Sequence, residues 1–472
     1  MTRQASRQLS FADAEMRMQG VSLDPILQRI SDFLDRQGDL LDVVHADLVR
    51  GLKRSGTGRL GVGAEQVLRA FVLARIKNWD LRELHERIAD GYTLRSFTHL
   101  FAGTVPNFRT LGRNFSRLRP ETVRLLNETV IDALLNMQRA EVGVLREDTT
   151  VVETDIHFPT DSGLLWDVVR VETRLVRALR EELGSQLHCE FSDRTRRARR
   201  RAQEISRMTG KAHRTRQHAH KYRNLLQVAE EVLEQATAHA RAARGLVGRM
   251  DPLRAALIGG MVSNIEHYSR LGHQVVDQTR RRVFGGEQLP VEEKLFSIFE
   301  PHTDLIVRGK ARTPVEFGHK VRLVECRGGL ITDYEVLEGN PPDQEHVQPT
   351  LDHHKRRFGT LPKMLATDRG FDSAANIAAC KDAGVIDCIP QRGGQKTPER
   401  QAYEKSRAFK KGQRFRAGIE GRISVLLRGR GMSRCLSCGR ERFEVFVGMA
   451  VLANNLLAVA KLLACKTRRR AA

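Results

Sequence analysis

At 472 residues the chain is long enough for two or more domains with sizeable cores. Its 79 Lys and Arg against 57 Asp and Glu leave a formal charge of +22, which points to a polyanionic partner, nucleic acid before membrane. Seven scattered cysteines (Cys189, Cys326, Cys380, Cys388, Cys435, Cys438, Cys465) exclude a disulfide framework and suit a reducing cytoplasm, and the polar N-terminus reads as lacking a signal peptide.

Residues 1 to about 140 read as helices only. Val67, Phe71 and Ala74 line one face of Glu65–Lys77, and Leu81, Leu84 and Ile88 form a second apolar stripe that Asp90-Gly91 ends. A turn at Pro106-Asn107 leads into Phe108–Leu118, which carries Arg109, Arg113 and Arg117 opposite Leu111, Phe115 and Leu118. This order suits a helix-turn-helix or an ordinary helical bundle with a basic face.

From Val142 to Ile156 the period changes to that of a strand. A long helical region follows, from about Leu164 to Arg282, with a stripe from Tyr222 to Ala236 in its Lys211–Arg244 core. An arginine run, Arg194 to Arg201, gives this region a basic face suited to phosphates. After Gly285-Gly286, strands are predicted at Leu305–Val307, Phe317–Val324, Leu330–Leu337, Met364–Asp368 and Val385–Ile389. Helices are predicted at Asp343–Phe358, Ser373–Ala383, Phe415–Leu427 and Phe443–Leu463, with Gln391–Ala408 as a polar loop. The last helix is apolar, but Asn454, Asn455 and Lys461 interrupt it, so it reads as a buried core helix.

This order is that of a ribonuclease H-like α/β fold, a mixed sheet flanked by helices, with a large helical insertion after its first strand and an all-α region before it. The expected divisions are a helical DNA-binding domain at 1–140, a catalytic domain at 141–162 and 284–465, the insertion at 163–283 and a basic tail at 466–472.

Three segments carry the chemistry. Asp148 lies in the first strand, Asp368 ends a later one, and Glu420 lies on a helix between Gly418 and Gly421. Two strand carboxylates and one helix carboxylate can meet at one sheet edge and hold two Mg²⁺ or Mn²⁺ ions, since such cations prefer carboxylate and water oxygens. A metal pair of this kind serves phosphodiester chemistry. Asp155 and Asp161 are rivals for the first position. Cys435 and Cys438 form a lone CxxC without the second ligand pair a zinc site needs. His302 and His319 are expected to be structural or to touch phosphate, and Trp79 and Trp166 to anchor the core.

Longer strings add a family. Asp148–Ser162, Ile298–Ile306, Phe317–Val321, Leu337–Pro341, Ala366–Ser373 and Phe415–Leu426 resemble, in this order, the DDE transposases of insertion sequences, most closely the ISNCY type. Residues about 60 to 120 resemble the helical N-terminal domain of InsH-type transposases. The resemblance implies binding of terminal inverted repeats, metal-dependent DNA strand cleavage and strand transfer. It makes Asp148, Asp368 and Glu420 the catalytic, metal-binding carboxylates. It implies double-stranded transposon-end and target DNA as partners, a homodimer or higher oligomer on that DNA, no membrane, and a bacterial, nucleoid-associated cytoplasmic protein.

Relatives show Tyr, Arg, Glu and Lys around the glutamate. Arg416 fits that pattern, whereas Gln413 stands at the Tyr position and Leu427, beside Arg428, at the Lys position. Arg416, Arg422 and Arg428 are expected to hold phosphates near the cut, and Arg109, Arg113, Arg117, Arg197 and Arg200 to contact DNA elsewhere. The rivals are a ribonuclease H-like nuclease without strand transfer and a decayed or domesticated relative that only binds DNA.

Overall fold

A computed structural model describes residues 15, 18–52, 61–101, 104–138, 140–208, 216–307 and 314–470. The chain divides into two compact units, one of Met1–Thr154 with Gly318–Ala472, the other of Asp155–Phe317. It is a mixed α/β protein.

The first unit begins with helices α1 (Pro25–Asp35), α2 (Asp39–Val49), α3 (Ala64–Lys77), α4 (Leu81–Asp90), α5 (Tyr92–Thr98), α6 (Phe108–Phe115) and α7 (Pro120–Asn136). Local chemistry sets their starts. Asp24, Asp80 and Asn107 each accept backbone N–H bonds at a helix N-terminus, and Pro25 and Pro120 occupy first helical positions where no N–H is needed. Between α4 and the basic helix α6 lies a further helix, α5, instead of the tight turn of a helix-turn-helix, and α6 has only 8 residues. Gly91 closes α4 as expected, but Thr98 and Leu94 continue helically after it.

The sheet of this unit is built on β1 (Glu141–Thr154), with β3 (Val315–Arg327) antiparallel on one side and β5 (Met364–Ala366) parallel on the other. β2 (Asp304–Val307) precedes β3 in the second unit. β4 (Ile331–Val336) pairs antiparallel with β3, β6 (Ile386–Cys388) pairs parallel with β5, and the short β7 (Arg434–Cys435) pairs with the end of β1. The remaining helices are α12 (Val347–Phe358), α13 (Ala374–Asp382), α14 (Pro398–Lys405), α15 (Arg407–Ser424) and α16 (Arg440–Arg470). In the second unit α8 (Asp161–Leu183), α9 (Thr195–Ser206), α10 (Arg216–Val247) and α11 (Pro252–Val283) pack on one another around Leu165, Val168, Leu225, Ala229 and Val275.

One stretch departs from the sequence expectation. Gln391–Ala408 is not loop throughout. Thr397 accepts from Arg400 N, Pro398 takes the first helical position, and α14 follows. Ser406 then caps α15 through Phe409 N, eight residues earlier than the apolar pattern suggested.

Helix α16 is the one helix among the described residues long and apolar enough to cross a membrane, yet most of its apolar stretch is buried. It packs against α1, α3, α7 and β4, so the leading helices and the sheet share one core. Its two asparagines are satisfied there. Asn455 accepts from Ile331 N at 2.9 Å and donates to Ile331 O at 3.0 Å, matching the free edge of β4. Asn454 accepts from Arg422 of α15 at 2.9 Å.

Candidate active site

Side chains alternate across β1. Glu147, Thr149 and Val151 face one side, and Arg146, Asp148, Thr150 and Val152 the other. On the second side Val152, Val321 and Leu323 pack with Leu426, Phe443 and Val447, so α16 and the end of α15 cover the sheet there. Register then places the second aspartate. Arg146 is paired with Ala366 in the parallel β1–β5 ladder. Two residues further along each strand stand Asp148 and Asp368, on neighbouring strands whose usual spacing is about 4.8 Å.

Each aspartate is oriented by backbone. Asp148 Oδ1 accepts from Thr149 N at 2.8 Å, and Asp368 Oδ1 accepts from Gly370 N at 2.7 Å. A Cβ at Gly370 would lie 2.9 Å from Asp343 Oδ2 and 3.0 Å from Asp368 Oδ1, so a side chain there would push on both carboxylates. Burial pushes the Asp148 carboxyl up to about 6, the charges of Asp368 and Asp343 push the same way, and the Thr149 N–H and Arg416 oppose them.

The third carboxylate comes from α15. Glu420 is exposed, and Arg416 one turn earlier joins it to the other two. Arg416 Nη1 lies 3.0 Å from Glu420 Oε1, while Nη2 lies 3.2 Å from Asp148 Oδ2 and 3.6 Å from Asp368 Oδ2. One guanidinium therefore touches all three acids. Their all-oxygen donor set suits a hard divalent cation.

Helix α15 is fastened to the sheet by a buried carboxylate. Glu325 of β3 takes Arg146 Nη2 at 2.7 Å on one oxygen and Arg422 Nε at 2.9 Å on the other. Gln413 donates to the carbonyls of Thr367 (3.1 Å) and Cys388, tying the ends of β5 and β6 to α15. Leu427 lies in a π-helical turn, Val425–Gly429, and packs with the apolar cluster of α16, while Arg428 is exposed.

The other expected residues scatter. Asp155 and Asp161 belong to the second unit, and Asp161 pairs with Arg282 at 2.9 Å. Arg422 is committed to Glu325 and Asn454 instead of pointing to solvent. On α6, Arg109 and Arg113 are exposed, but Arg117 bonds the carbonyl of Arg50. The arginine run of α9 splits by helical period. Arg196, Arg199 and Arg200 are exposed on one face, whereas Arg197 and Arg201 reach Asn224 at 3.4 and 3.0 Å. Lys211 and Arg214 lie outside the described residues. His319 is buried with Arg440 Nη1 at 3.0 Å from its Nδ1, and His302 pairs with Glu300 at 2.7 Å. Trp79 and Trp166 are part-buried against apolar clusters.

Two residues near the site escaped the sequence reading. Asp343 Oδ1 accepts from Thr149 Oγ1 at 2.9 Å and pairs with Lys320 Nζ at 2.8 Å, and Lys320 also donates to the Pro341 carbonyl at 2.6 Å. The string Leu337–Pro341 stopped two residues short of Asp343. The Pro341-Pro342-Asp343 sequence, which starts a 3₁₀ turn, was the available signal.

Residues 319–456 match the family described as a transposase DDE domain, and residues 18–117 match one described as a transposase domain (DUF772). The first match holds Asp343, Asp368, Arg416 and Glu420, and Asp148 precedes it. Comparison with curated proteins and with solved structures gives no match. With these two transposase segments in order along the chain, it belongs to the DDE transposases of insertion sequences.

Proposed function

We propose that the protein binds the terminal inverted repeats of its element and catalyses DNA strand cleavage and strand transfer, with Asp148, Asp368 and Glu420 as the catalytic carboxylates. The observation that carries this reading is the meeting of all three, from β1, from the end of β5 and from α15, on the single guanidinium of Arg416. The same three residues would hold two Mg²⁺ or Mn²⁺ ions. Bound there, the ions supply activation of the attacking oxygen and stabilisation of the leaving one. The chain's own part is positional. The parallel register sets the two aspartates side by side, Glu325 and Gln413 hold α15 on the sheet, and water or a DNA 3′-hydroxyl is the nucleophile, so no covalent protein–DNA intermediate is needed.

The strand order and the position of the second unit between β1 and β3 support a ribonuclease H-like catalytic domain, 141–162 and 284–465, with a helical insertion at 163–283. DNA contacts are assigned to Arg109, Arg113 and the exposed face of α9, including Arg200, and beside the cut to Arg416 and Arg428. The net charge supports duplex DNA as partner. A homodimer or higher oligomer on DNA, in bacterial cytoplasm, completes the proposal. The DNA-binding-only alternative draws on Leu427 and Gln413, which stand at the lysine and tyrosine positions of the pattern.

The test is incubation of the protein with DNA carrying the sequences that flank its gene, with Mg²⁺ or Mn²⁺, and mapping of new 3′ ends. Breaks confined to inverted-repeat ends support the reading. Absence of end-specific breaks with either ion contradicts it.

A further inference from the structure

Arg416 makes an unusual set of contacts for a residue proposed to meet a DNA phosphate. Its guanidinium spans all three carboxylates at 3.0 to 3.6 Å, and its Nε is buried without a hydrogen-bond partner among the described residues. Glu420 Oε1, Asp148 Oδ2 and Asp368 Oδ2, which face the arginine, are oxygens that a hard divalent cation would need. Both cations cannot use them at once. A guanidinium brings one positive charge to three carboxylates, whereas two divalent ions bring four and repel it.

We infer that Arg416 is the resident counter-cation of this triad, and that divalent-metal loading displaces its head and frees it for a DNA phosphate. The inference rests on the reading of Asp148, Asp368 and Glu420 as the metal centre. The contacts favour a displaceable arginine over a fixed strut. The Glu420 partner is 68% exposed, and a screened surface pair contributes little. The longest contact, 3.6 Å to Asp368, is a loose one. The side chain is long, sits one turn from Glu420 on the same helix, and carries a planar fork of donors that matches phosphate geometry. Metal and DNA would then favour each other through this one side chain, and thermodynamic linkage makes that coupling equal in both directions.

The experiment uses the full chain without cleavage. Mn²⁺ binding is measured by calorimetry in the absence of DNA, and duplex binding by fluorescence anisotropy at constant ionic strength with and without Ca²⁺. Arg416→Gln removes the competing charge, so it should bind Mn²⁺ about 5-fold or more tighter than wild type, the lower end of usual coupling. Wild type should gain DNA affinity with Ca²⁺ by a similar factor, and the variant should lose that gain. Arg416→Lys keeps the charge but can bond fewer of the carboxylates, and should fall between. Mn²⁺ affinity that is unchanged or weaker in both variants would overturn the inference and leave the arginine a strut. Asp368→Asn separates the two levels. If it abolishes Mn²⁺ binding while the arginine variants do nothing, the metal centre stands and the displacement fails. If it leaves Mn²⁺ binding intact, the reading of the triad fails.

Discussion

Arg146 Nη1 donates to the Phe415 carbonyl at 2.6 Å, which fastens the strand of Asp148 directly to the helix of Glu420. The approach is so close that a Cβ at Gly418 would lie 2.1 Å from this nitrogen. Glu325 completes the joint by accepting from Arg146 and Arg422. Removing one member of a buried charge group leaves the others uncompensated, which costs about 3–5 kcal/mol. Glu325→Gln should therefore lower stability in urea unfolding by an amount of that order, and Gly418→Ala by about 1–3 kcal/mol through overpacking. Unfolding midpoints equal to wild type would show that the joint does not hold α15.

Asp343 should act on Asp148 from the opposite face of the sheet. Asp148 must lose its proton to bind a cation. Burial and the charges of Asp368 and Asp343 hold its carboxyl at about 6 in the metal-free protein, so Mn²⁺ binding should tighten as pH increases toward that value and then level. Asp343→Asn removes one like charge and should move that rise to lower pH, while lowering the plateau affinity because Lys320 loses its ion pair. Calorimetry across the pH range checks this. A plateau reduced at an unmoved pH would make Asp343 purely structural.

The second unit contains a separate pH device. Glu172 is fully buried, one of its oxygens accepts from the Ser269 hydroxyl at 2.7 Å, and burial pushes its carboxyl up to about 8. The folded state thus holds this proton more tightly than the unfolded chain does. The resulting stability is complete below the ordinary carboxylate range and is lost as pH rises toward 8. Glu172→Gln should remove that loss, so its melting temperature should exceed that of wild type at pH 8 by more than at pH 5. An equal difference at both values would refute the neutral carboxyl.

Much of the candidate site's geometry was legible because its signals are local. Asp148 stands inside a strand-like run and Asp368 at the end of another, and the turn at Asp368 advertises itself by Gly370. Asp343 was not legible, because its value depends on a loop folding over Thr149 on the far face of the sheet. Arg422 looked like a phosphate ligand because nothing in its neighbourhood predicts Glu325, 97 residues away, or Asn454. The glycine pair Gly393-Gly394 made residues 391–408 read as loop, yet Thr397-Pro398 is a helix start once its cap is counted. Sequence order alone could not reveal that the leading helices share α16 with the sheet.

The arginine run of α9 also needs the helix to be read correctly. Arg194 pairs with Glu231 at 3.4 Å and Arg201 with Glu204 at 2.8 Å, while Arg196, Arg199 and Arg200 share the exposed face. Replacing those three by Gln should flatten the plot of log K against log salt for duplex DNA by about 2–3 units, at roughly 0.9 per phosphate contact. The melting temperature should hold, since exposed charges add little stability. An unchanged slope would remove this face from the DNA interface.

The most direct measurement is Mg²⁺-dependent nicking of end-containing DNA by wild type, Asp368→Asn and Glu420→Gln, with duplex binding measured on the same preparations. On the proposed reading the carboxylates form the reaction centre, while most of the chain's positive charge lies outside it. Both variants should therefore lose nicking and keep nearly full binding. Nicking at the wild-type rate by both variants would contradict the assignment of the triad.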